Sequence, residues 1–340
     1  MIIEINKLLT IFLITIFFYL INNKFFKLNP EKKEIHQKFS NDIFVLPVGG
    51  YTIILFIIFF NFFFNYLELI SFVLIFFMGL LSDYKLFNSP KKRLFFQTLV
   101  ILFFIFYSEI EILSTRIDFF DYLLKNNYVN LLFTAFCILI LINGSNFIDG
   151  LNSLVIGYYS IILIVLLNSS LNLYFDKNLL VNFLFVLLIL FIFNFFNKIF
   201  LGDNGSYLLG FLFSVYLINI HMINFHMSPY FIILLLWYPC MENLFSIIRK
   251  KVSKIKPYSP DNKHFHHLLF QYILNIFKKK NKILANNLTS LMINFYNLII
   301  FFIALQTVNE TKIQLLLIFS NIVVYIFLYV LLINFKKNRV

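Results

Sequence analysis

Long apolar runs separated by short polar connections follow one another along the whole chain. A helical run of about 15 to 20 apolar residues matches the roughly 30 Å hydrocarbon core of a bilayer. The pattern predicts eleven membrane-spanning helices, near residues 3–21, 43–64, 66–81, 94–108, 129–145, 151–168, 179–197, 205–222, 228–247, 287–305 and 313–334. The sequence therefore predicts an all-α integral membrane protein with a single polytopic domain over residues 1–340.

Basic residues are distributed unevenly over the polar connections. Most of the 28 Lys and Arg residues fall on alternate connections, at 22–42, 82–93, 198, 249–282 and 336–339. Cytoplasmic loops accumulate such residues, so the N-terminus is predicted outside and the C-terminus in the cytoplasm. This bias also explains the net charge of +12 without nucleic acid as a partner. Anionic membrane lipids are the predicted partner of the lysine-rich loops.

Five polar clusters fall on the predicted cytoplasmic face. They read LPVGG (46–50), GLLSDYKLFNSPKKRLFFQ (79–97), NGSNFIDG (143–150), FLGDNGSYLLG (200–210) and SPDNKHFHHLLF (259–270). Because they share one face, the cytoplasmic loops are predicted to form one active-site cleft.

Three acids, Asp83, Asp149 and Asp203, stand at cytoplasmic ends of predicted spans. Carboxylates at membrane depth are unfavourable and usually have a function or a partner. Three carboxylates that converge in one cleft repel each other unless a cation lies between them. Their hard oxygen ligands suit Mg²⁺ or Mn²⁺, which assist phosphoryl transfer. The alternative is that each acid solvates a helix end or pairs with a nearby lysine.

The cluster NGSNFIDG places Asn143, Asn146 and Asp149 three residues apart, so that on a helix they face one cavity. An amide both donates and accepts hydrogen bonds, which suits a sugar or a nucleobase. Hydrogen bonds between spans are the alternative use. In FLGDNGSYLLG, a helix starting near Ser206 would direct free N–H groups at an anion.

Three histidines, His264, His266 and His267, lie in the longest predicted cytoplasmic connection. Imidazoles there suit phosphate binding, leaving-group orientation or general acid and base catalysis. A zinc site and surface histidines without a role are the alternatives.

Two smaller groups of residues also stand out. The basic residues Lys91, Lys92 and Arg93, which follow Pro90, suit either phosphate binding or anchoring of the fourth span at the interface. Pro239 and Glu242 predict a kinked ninth span with an inward-facing acid.

In this order, the five clusters resemble the polyprenyl-phosphate N-acetylhexosaminyl-1-phosphate transferases, of the glycosyltransferase family 4 type. The resemblance is strongest over residues 40–270. It implies transfer of a sugar-1-phosphate from a UDP-linked N-acetylhexosamine, or a deoxy relative, to undecaprenyl phosphate, which gives polyprenyl-diphospho-sugar and UMP. This would be the first membrane step of cell-envelope polysaccharide synthesis, such as O-antigen of lipopolysaccharide or cell wall polymers. The bacterial inner membrane is the implied location, and a homodimer is left open.

The resemblance also implies roles for individual residues. The implied catalytic residues are Asp83, Asp149, His264, His266 and His267. The implied substrate-binding residues are Asn143, Asn146, Lys91, Arg93, Gly49 and Gly50. The implied Mg²⁺ ligands are Asp203 and Asp83, with Mn²⁺ as an alternative metal.

This chain departs from the family pattern in two places. Ser82 replaces the first of two adjacent aspartates, and Asn152 and Ser153 replace the second pair of D-G-x-D-G. Because serine is not a base, we expect the lipid phosphate to attack directly, without a covalent phosphoenzyme at Ser82. Two other hypotheses stay open, an inactive relative that binds nucleotide sugar and a membrane transporter or flippase.

Overall fold

A computed structural model describes residues 7–17, 47–62, 65–87, 89–254, 263–278 and 280–337. The helices are α1 Lys7–Phe17, α2 Gly49–Phe59, α3 Tyr66–Asp83, α4 Pro90–Ser108, α5 Asp118–Leu124, α6 Asn127–Ile148, α7 Leu154–Leu167, α8 Lys177–Phe195, α9 Gly202–Ile223, α10 Pro229–Leu235, α11 Trp237–Val252, α12 Phe265–Ile276, α13 Lys282–Leu305 and α14 Thr311–Lys337. Within these residues the only β-type pairing is an isolated bridge between Pro47 and Phe200. The predicted all-α class is confirmed.

Every predicted span coincides with a helix or with the α10–α11 pair. Six helices, α3, α6, α8, α9, α13 and α14, are long and apolar enough to cross a membrane, and the bent α10–α11 pair is a seventh candidate. Helices α1, α2 and α7 are apolar but shorter. Eleven spans and their orientation therefore stay predictions. Helices α5 and α12 lie in segments that the hydrophobic pattern assigned to connections.

Helix α9 is the centre of the bundle. Of its most apolar stretch, 83% is buried inside the protein, and it packs against α2, α3 and α6. Small residues allow these close crossings. A side chain at Gly79 of α3 would collide with the backbone of Asn204, and one at Gly210 with α6 at Ile142. The first turn of α9 is thereby held next to the ends of α3 and α6.

The predicted kink in the ninth span is confirmed. Helices α10 and α11 meet at Leu236 with a bend of 74°. Pro239 lies in the first turn of α11, where its missing N–H leaves no helical hydrogen bond unmade. Glu242 follows one turn later and is 1% exposed, so the acid does face inward as predicted.

The turn between α6 and α7 explains one departure from the family pattern. Asn152 donates from Nδ2 to Oδ1 of Asn197, at 2.6 Å, and to Oδ1 of Asn287, at 3.2 Å. Ser153 adopts a left-handed backbone with φ of 59° and donates from Oγ to the carbonyl of Phe191 at 2.9 Å. Both residues tie the turn to α8 and α13, and both are buried. A carboxylate at position 152 could not make the two donations.

Replacing Asn152 with aspartate is therefore expected to destabilise the protein by about 3 kcal/mol, because a carboxylate would face two amide oxygens without a proton to donate. Thermal unfolding in detergent measures this. Ser153→Gly is the matched control. It relieves about 1 kcal/mol of left-handed strain but loses one hydrogen bond of similar value, so its expected effect is close to zero. Equal stability of Asn152→Asp and the wild type would contradict the structural role.

Candidate functional site

The first turn of α9 is capped by Asp83, the last residue of α3. Its Oδ1 accepts from the backbone N–H of Asp203 at 2.8 Å. Its Oδ2 accepts from the backbone N–H of Asn204 at 3.1 Å and from the Asn204 side chain at 2.7 Å. A carboxylate here satisfies N–H groups that a helix start leaves unpaired. The predicted helix start near Ser206 is wrong, because Gly202, with φ of +77°, turns the chain directly into the helix.

Asp203 is the centre of a polar cluster at this helix start. Its Oδ1 accepts from Nδ2 of Asn146 at 2.6 Å. Its Oδ2 accepts from the Ser82 hydroxyl at 2.5 Å and from Nη1 of Arg93 at 3.2 Å. Arg93 also donates to Ser82 and, at 3.4 Å, to the Tyr207 hydroxyl. The structure thus brings the predicted residues Asp203, Asn146 and Arg93 together around Ser82.

Asp149, which directly follows α6, lies at the same helix start, close to the Gly202 backbone and to Asp203. Burial and the nearby charge of Asp203 raise the pKa of Asp149 well above its usual range, and a hydrogen bond from the Gly202 backbone acts in the opposite direction. A carboxyl with a raised pKa keeps its proton at higher pH than usual and can donate it.

Asn143 lies one turn before Asn146 on α6, as the spacing predicts. Its Nδ2 donates to Oε1 of Gln97 on α4 at 3.2 Å and to the carbonyl of Leu139 at 2.9 Å. Gln97 is fully buried, and its Nε2 has no hydrogen-bond partner among the described residues. Both predicted uses of Asn143, contact between helices and contact with a ligand, are compatible with this geometry.

The three histidines lie at the start of α12 and are buried. Nδ1 of His264 is 2.9 Å from Oε2 of Glu242, whose Oε1 accepts the backbone N–H of Phe265 at 3.0 Å. Nδ1 of His266 is 3.8 Å from Oε1 of Glu242. Burial lowers the pKa of His266, which favours a neutral ring. Residues 255–262, the first part of the predicted loop, lie outside the described residues.

Gly150 connects the histidines to the acids. A Cβ at Gly150 would lie 2.5 Å from Nε2 of His267 and 2.7 Å from Nε2 of His266. Gly150 follows Asp149 directly. The histidine rings therefore touch the chain beside Asp149, and acids, asparagines and histidines share one end of the bundle.

The remaining predicted residues lie at the edge of this cluster or beneath it. Lys91 is exposed in the first turn of α4. Gly49 and Gly50 are buried where α2 begins, and side chains there would collide with Leu201 and Asn204. Their substrate-binding roles stay predictions. The geometry gives the two glycines a packing role against α9.

A divalent cation needs carboxylate oxygens that face it. The carboxylate oxygens of Asp83 accept hydrogen bonds from α9. The carboxylate oxygens of Asp203 accept hydrogen bonds from Asn146, Ser82 and Arg93. Within the described part of the chain, no group of three His, Cys, Asp or Glu side chains is placed to hold a metal ion. This arrangement does not fit Mg²⁺ or Mn²⁺, since the Arg93 guanidinium lies on Asp203. The metal stays a prediction.

Sequence reasoning gave no site role to three residues that the structure places in the cluster, Gln97, Asn204 and Tyr207. All three lie inside the five polar clusters, so their positions alone could have suggested a role. Glu242 was expected only to face inward. The sequence feature that could have indicated a site role for Glu242 is the presence of an acid in an apolar run before the histidine stretch.

Part of this chain is similar to a known protein family. Residues 65–221 match the model of glycosyl transferase family 4. The match contains Ser82, Asp83, Asp149 and Asp203 and ends before the histidines. It confirms the resemblance predicted from the sequence.

A curated relative has a more specific name. A protein of Thermotoga maritima named undecaprenyl-phosphate alpha-N-acetylglucosaminyl 1-phosphate transferase is 38% identical over 76 residues. The aligned part is 22% of this chain and 25% of the relative. The chain thus spans about a quarter of the length of the curated relative that it matches.

Proposed function

We propose that this protein transfers a sugar-1-phosphate from a UDP-sugar to undecaprenyl phosphate. Its residues 65–221 match the model of glycosyl transferase family 4. The donor proposed is a UDP-N-acetylhexosamine or a deoxy relative. One observation carries the proposal: Asp203, paired with Arg93 and Asn146, meets Asp83, Asp149 and three buried histidines at one end of the bundle. The name of the Thermotoga maritima relative supports the lipid acceptor and the sugar class.

The proposed reaction is a single displacement at phosphorus. An oxygen of the lipid phosphate attacks the phosphorus that carries the sugar, and the bond from that phosphorus to the oxygen bridging it to UMP breaks. The electron pair leaves with that oxygen, so the products are polyprenyl-diphospho-sugar and UMP. A phosphate monoester has a second pKa near 6, so the attacking group is already mostly a dianion at neutral pH. The step needs positioning and charge neutralisation more than a strong base.

The residues of the cluster suit these two tasks. Arg93 is partly exposed and is held by Asp203, so its guanidinium can face a phosphate group without losing its anchor. Asn143 and Asn146 offer amides for the sugar or the nucleobase. Asp149 and the histidines lie close enough together to orient the diphosphate and move a proton.

Ser82 tests the single displacement. Its hydroxyl donates to Asp203 and accepts from Arg93, an arrangement that a nucleophilic serine would also show. We expect Ser82→Ala to lower kcat by less than about tenfold, because only one positioning contact is lost. Rapid-quench experiments with donor labelled in the phosphate next to the sugar should detect no protein-bound label. A labelled intermediate that disappears in Ser82→Ala would overturn the single displacement.

The location is part of the proposal. The protein would lie in the bacterial inner membrane with this site facing the cytoplasm, where UDP-sugars are made, and would catalyse the first membrane step of an envelope polysaccharide. Labelling of single cysteines placed at position 91 and at position 118, from each side of sealed vesicles, tests the orientation. Cytoplasmic labelling at position 91 and external labelling at position 118 are the expected results.

A second function is suggested by Ser82 itself. A relative that lost activity with the missing aspartate would bind nucleotide sugar but would not release UMP. The assay that tests the proposal separates the two hypotheses. Purified protein is given undecaprenyl phosphate, Mg²⁺ and a series of UDP-N-acetylhexosamines, and released UMP and bound donor are measured together. A parallel sample with EDTA checks the predicted metal.

A further inference from the structure

Glu242 is a buried acid that lies outside the five polar clusters. It is 1% exposed, lies in α11, and reaches across to the start of α12. Its two oxygens are used by His264 and by the backbone N–H of Phe265. An isolated buried carboxylate is strongly unfavourable, so this contact between helices holds the histidine segment in one position.

The geometry fixes where the protons are. A carboxylate only accepts hydrogen bonds, so Nδ1 of His264, at 2.9 Å, must carry the proton. Nδ1 of His266 faces the same carboxylate at 3.8 Å, which also favours a proton on that nitrogen. In a neutral ring the other nitrogen, Nε2, then has a free lone pair.

The lone pair of His266 lies next to the chain segment that follows Asp149. Both ring nitrogens of His266 are buried without a hydrogen-bond partner among the described residues, but Nδ1 has the Glu242 carboxylate 3.8 Å away, whereas Nε2 has no such acceptor. Nε2 lies beside Gly150, the residue after Asp149. A buried polar nitrogen without a partner is unusual in native structures and points to a group that arrives with a ligand.

We propose that Glu242 is the positioning residue of the histidine cluster, holding the protons on Nδ1 of His264 and His266 so that Nε2 of His266 faces Asp149 and the bound sugar nucleotide. The inference rests on the proposed transferase function for its kinetic consequence. The proton positions can be measured without any activity.

Nuclear magnetic resonance of protein labelled with nitrogen-15 histidine tests the proton positions. The chain has six histidines, so signals can be assigned with single histidine-to-glutamine variants. The spectra are recorded about two pH units above the ordinary histidine pKa of about 6.5, where the rings are neutral. We expect a proton on Nδ1 of His264 and of His266. A proton on Nε2 of either ring in the wild type would overturn the proposal.

Glu242→Gln tests the role of the carboxylate with an isosteric side chain. The amide oxygen is needed by the Phe265 N–H, so the amide nitrogen must face His264 and donate to it. We therefore expect the proton of His264 to move to Nε2. With undecaprenyl phosphate and the active donor, kcat should fall about a hundredfold while KM for the donor changes less than about threefold.

Asn243→Ala is the matched control. Asn243 is the next residue, is buried, and donates to the carbonyl of Ile140 at 3.0 Å. Its loss should lower thermal stability without moving a histidine proton or changing kcat. A Glu242→Gln variant with wild-type tautomers and wild-type kcat would refute the positioning role. If the wild type releases no UMP with any donor, the transferase proposal fails, whereas the histidine spectra still decide the role of Glu242.

Discussion

Asp203→Asn is expected to reduce UMP release about a thousandfold. The carboxylate holds Arg93 at 3.2 Å and Asn146 at 2.6 Å, so it fixes both the cation that we propose for the diphosphate and an amide that we propose for the sugar. Loss of one such preorganised charge usually lowers kcat by about 10² to 10³. Asparagine has the same shape but only one acceptor oxygen, so its amide nitrogen must face either Asn146 or the donors Ser82 and Arg93. The free energy of unfolding should therefore fall by about 1 to 3 kcal/mol, and the protein should stay folded in the assay. The measurement is initial rate of UMP release together with unfolding temperature.

Asp121→Asn is the matched control for this prediction. Asp121 lies on α5, before the start of α6 and therefore at the end of the bundle opposite Asp149, and it accepts from Ser114 and Thr115. This variant should keep wild-type activity. Full activity of Asp203→Asn, or equal losses in both variants, would contradict a site centred on Asp203.

Asp83→Ala is expected to lower the free energy of unfolding by about 3 kcal/mol, and activity should fall with it. Three donors at the start of α9 lose their acceptor, and each unpaired buried donor costs about 1 to 3 kcal/mol, partly offset by water. Asp83→Asn keeps one acceptor oxygen and should lie between the alanine variant and the wild type. Thermal denaturation of each variant in detergent measures the loss of stability.

An exposed helix cap provides the comparison for Asp83. Asp176 caps α8 by accepting from the backbone of Asn178 at 3.1 Å. Its replacement by alanine should cost about 1 kcal/mol and leave activity unchanged. If Asp83→Ala abolished activity at wild-type stability, Asp83 would act in catalysis or metal binding, as the sequence suggested, and its capping role would be secondary.

Much of the fold could be predicted, because apolar runs of bilayer length report helices directly. The distribution of basic residues put the five polar clusters on one face, and so it also predicted which polar segments meet. The first and last residues of the helices were harder to predict, since they depend on contacts between residues far apart in the sequence. Helix α9 starts at Gly202 because Asp83, on another helix, caps it. Helix α12 was missed because its first turn contains the histidines that Glu242 holds in place.

Individual contacts in the site could not be predicted in the same way. Ser82 and Asp203 are 121 residues apart, and nothing in either motif specifies that a serine hydroxyl and Arg93 would share that carboxylate. The departure at Asn152 was visible in the sequence, but its reason was not. The two amides that require a donor there come from α13 and the segment after α8.

Release of UMP by the purified wild-type protein is the most direct test of the proposed transferase activity. The protein is incubated with a UDP-N-acetylhexosamine with and without undecaprenyl phosphate, and Asp203→Asn is treated identically. We expect UMP in amounts equal to the diphospholipid formed, only when the lipid is present, and about a thousandfold less with Asp203→Asn. Donor binding by a folded wild-type protein that releases no UMP would contradict the proposed activity.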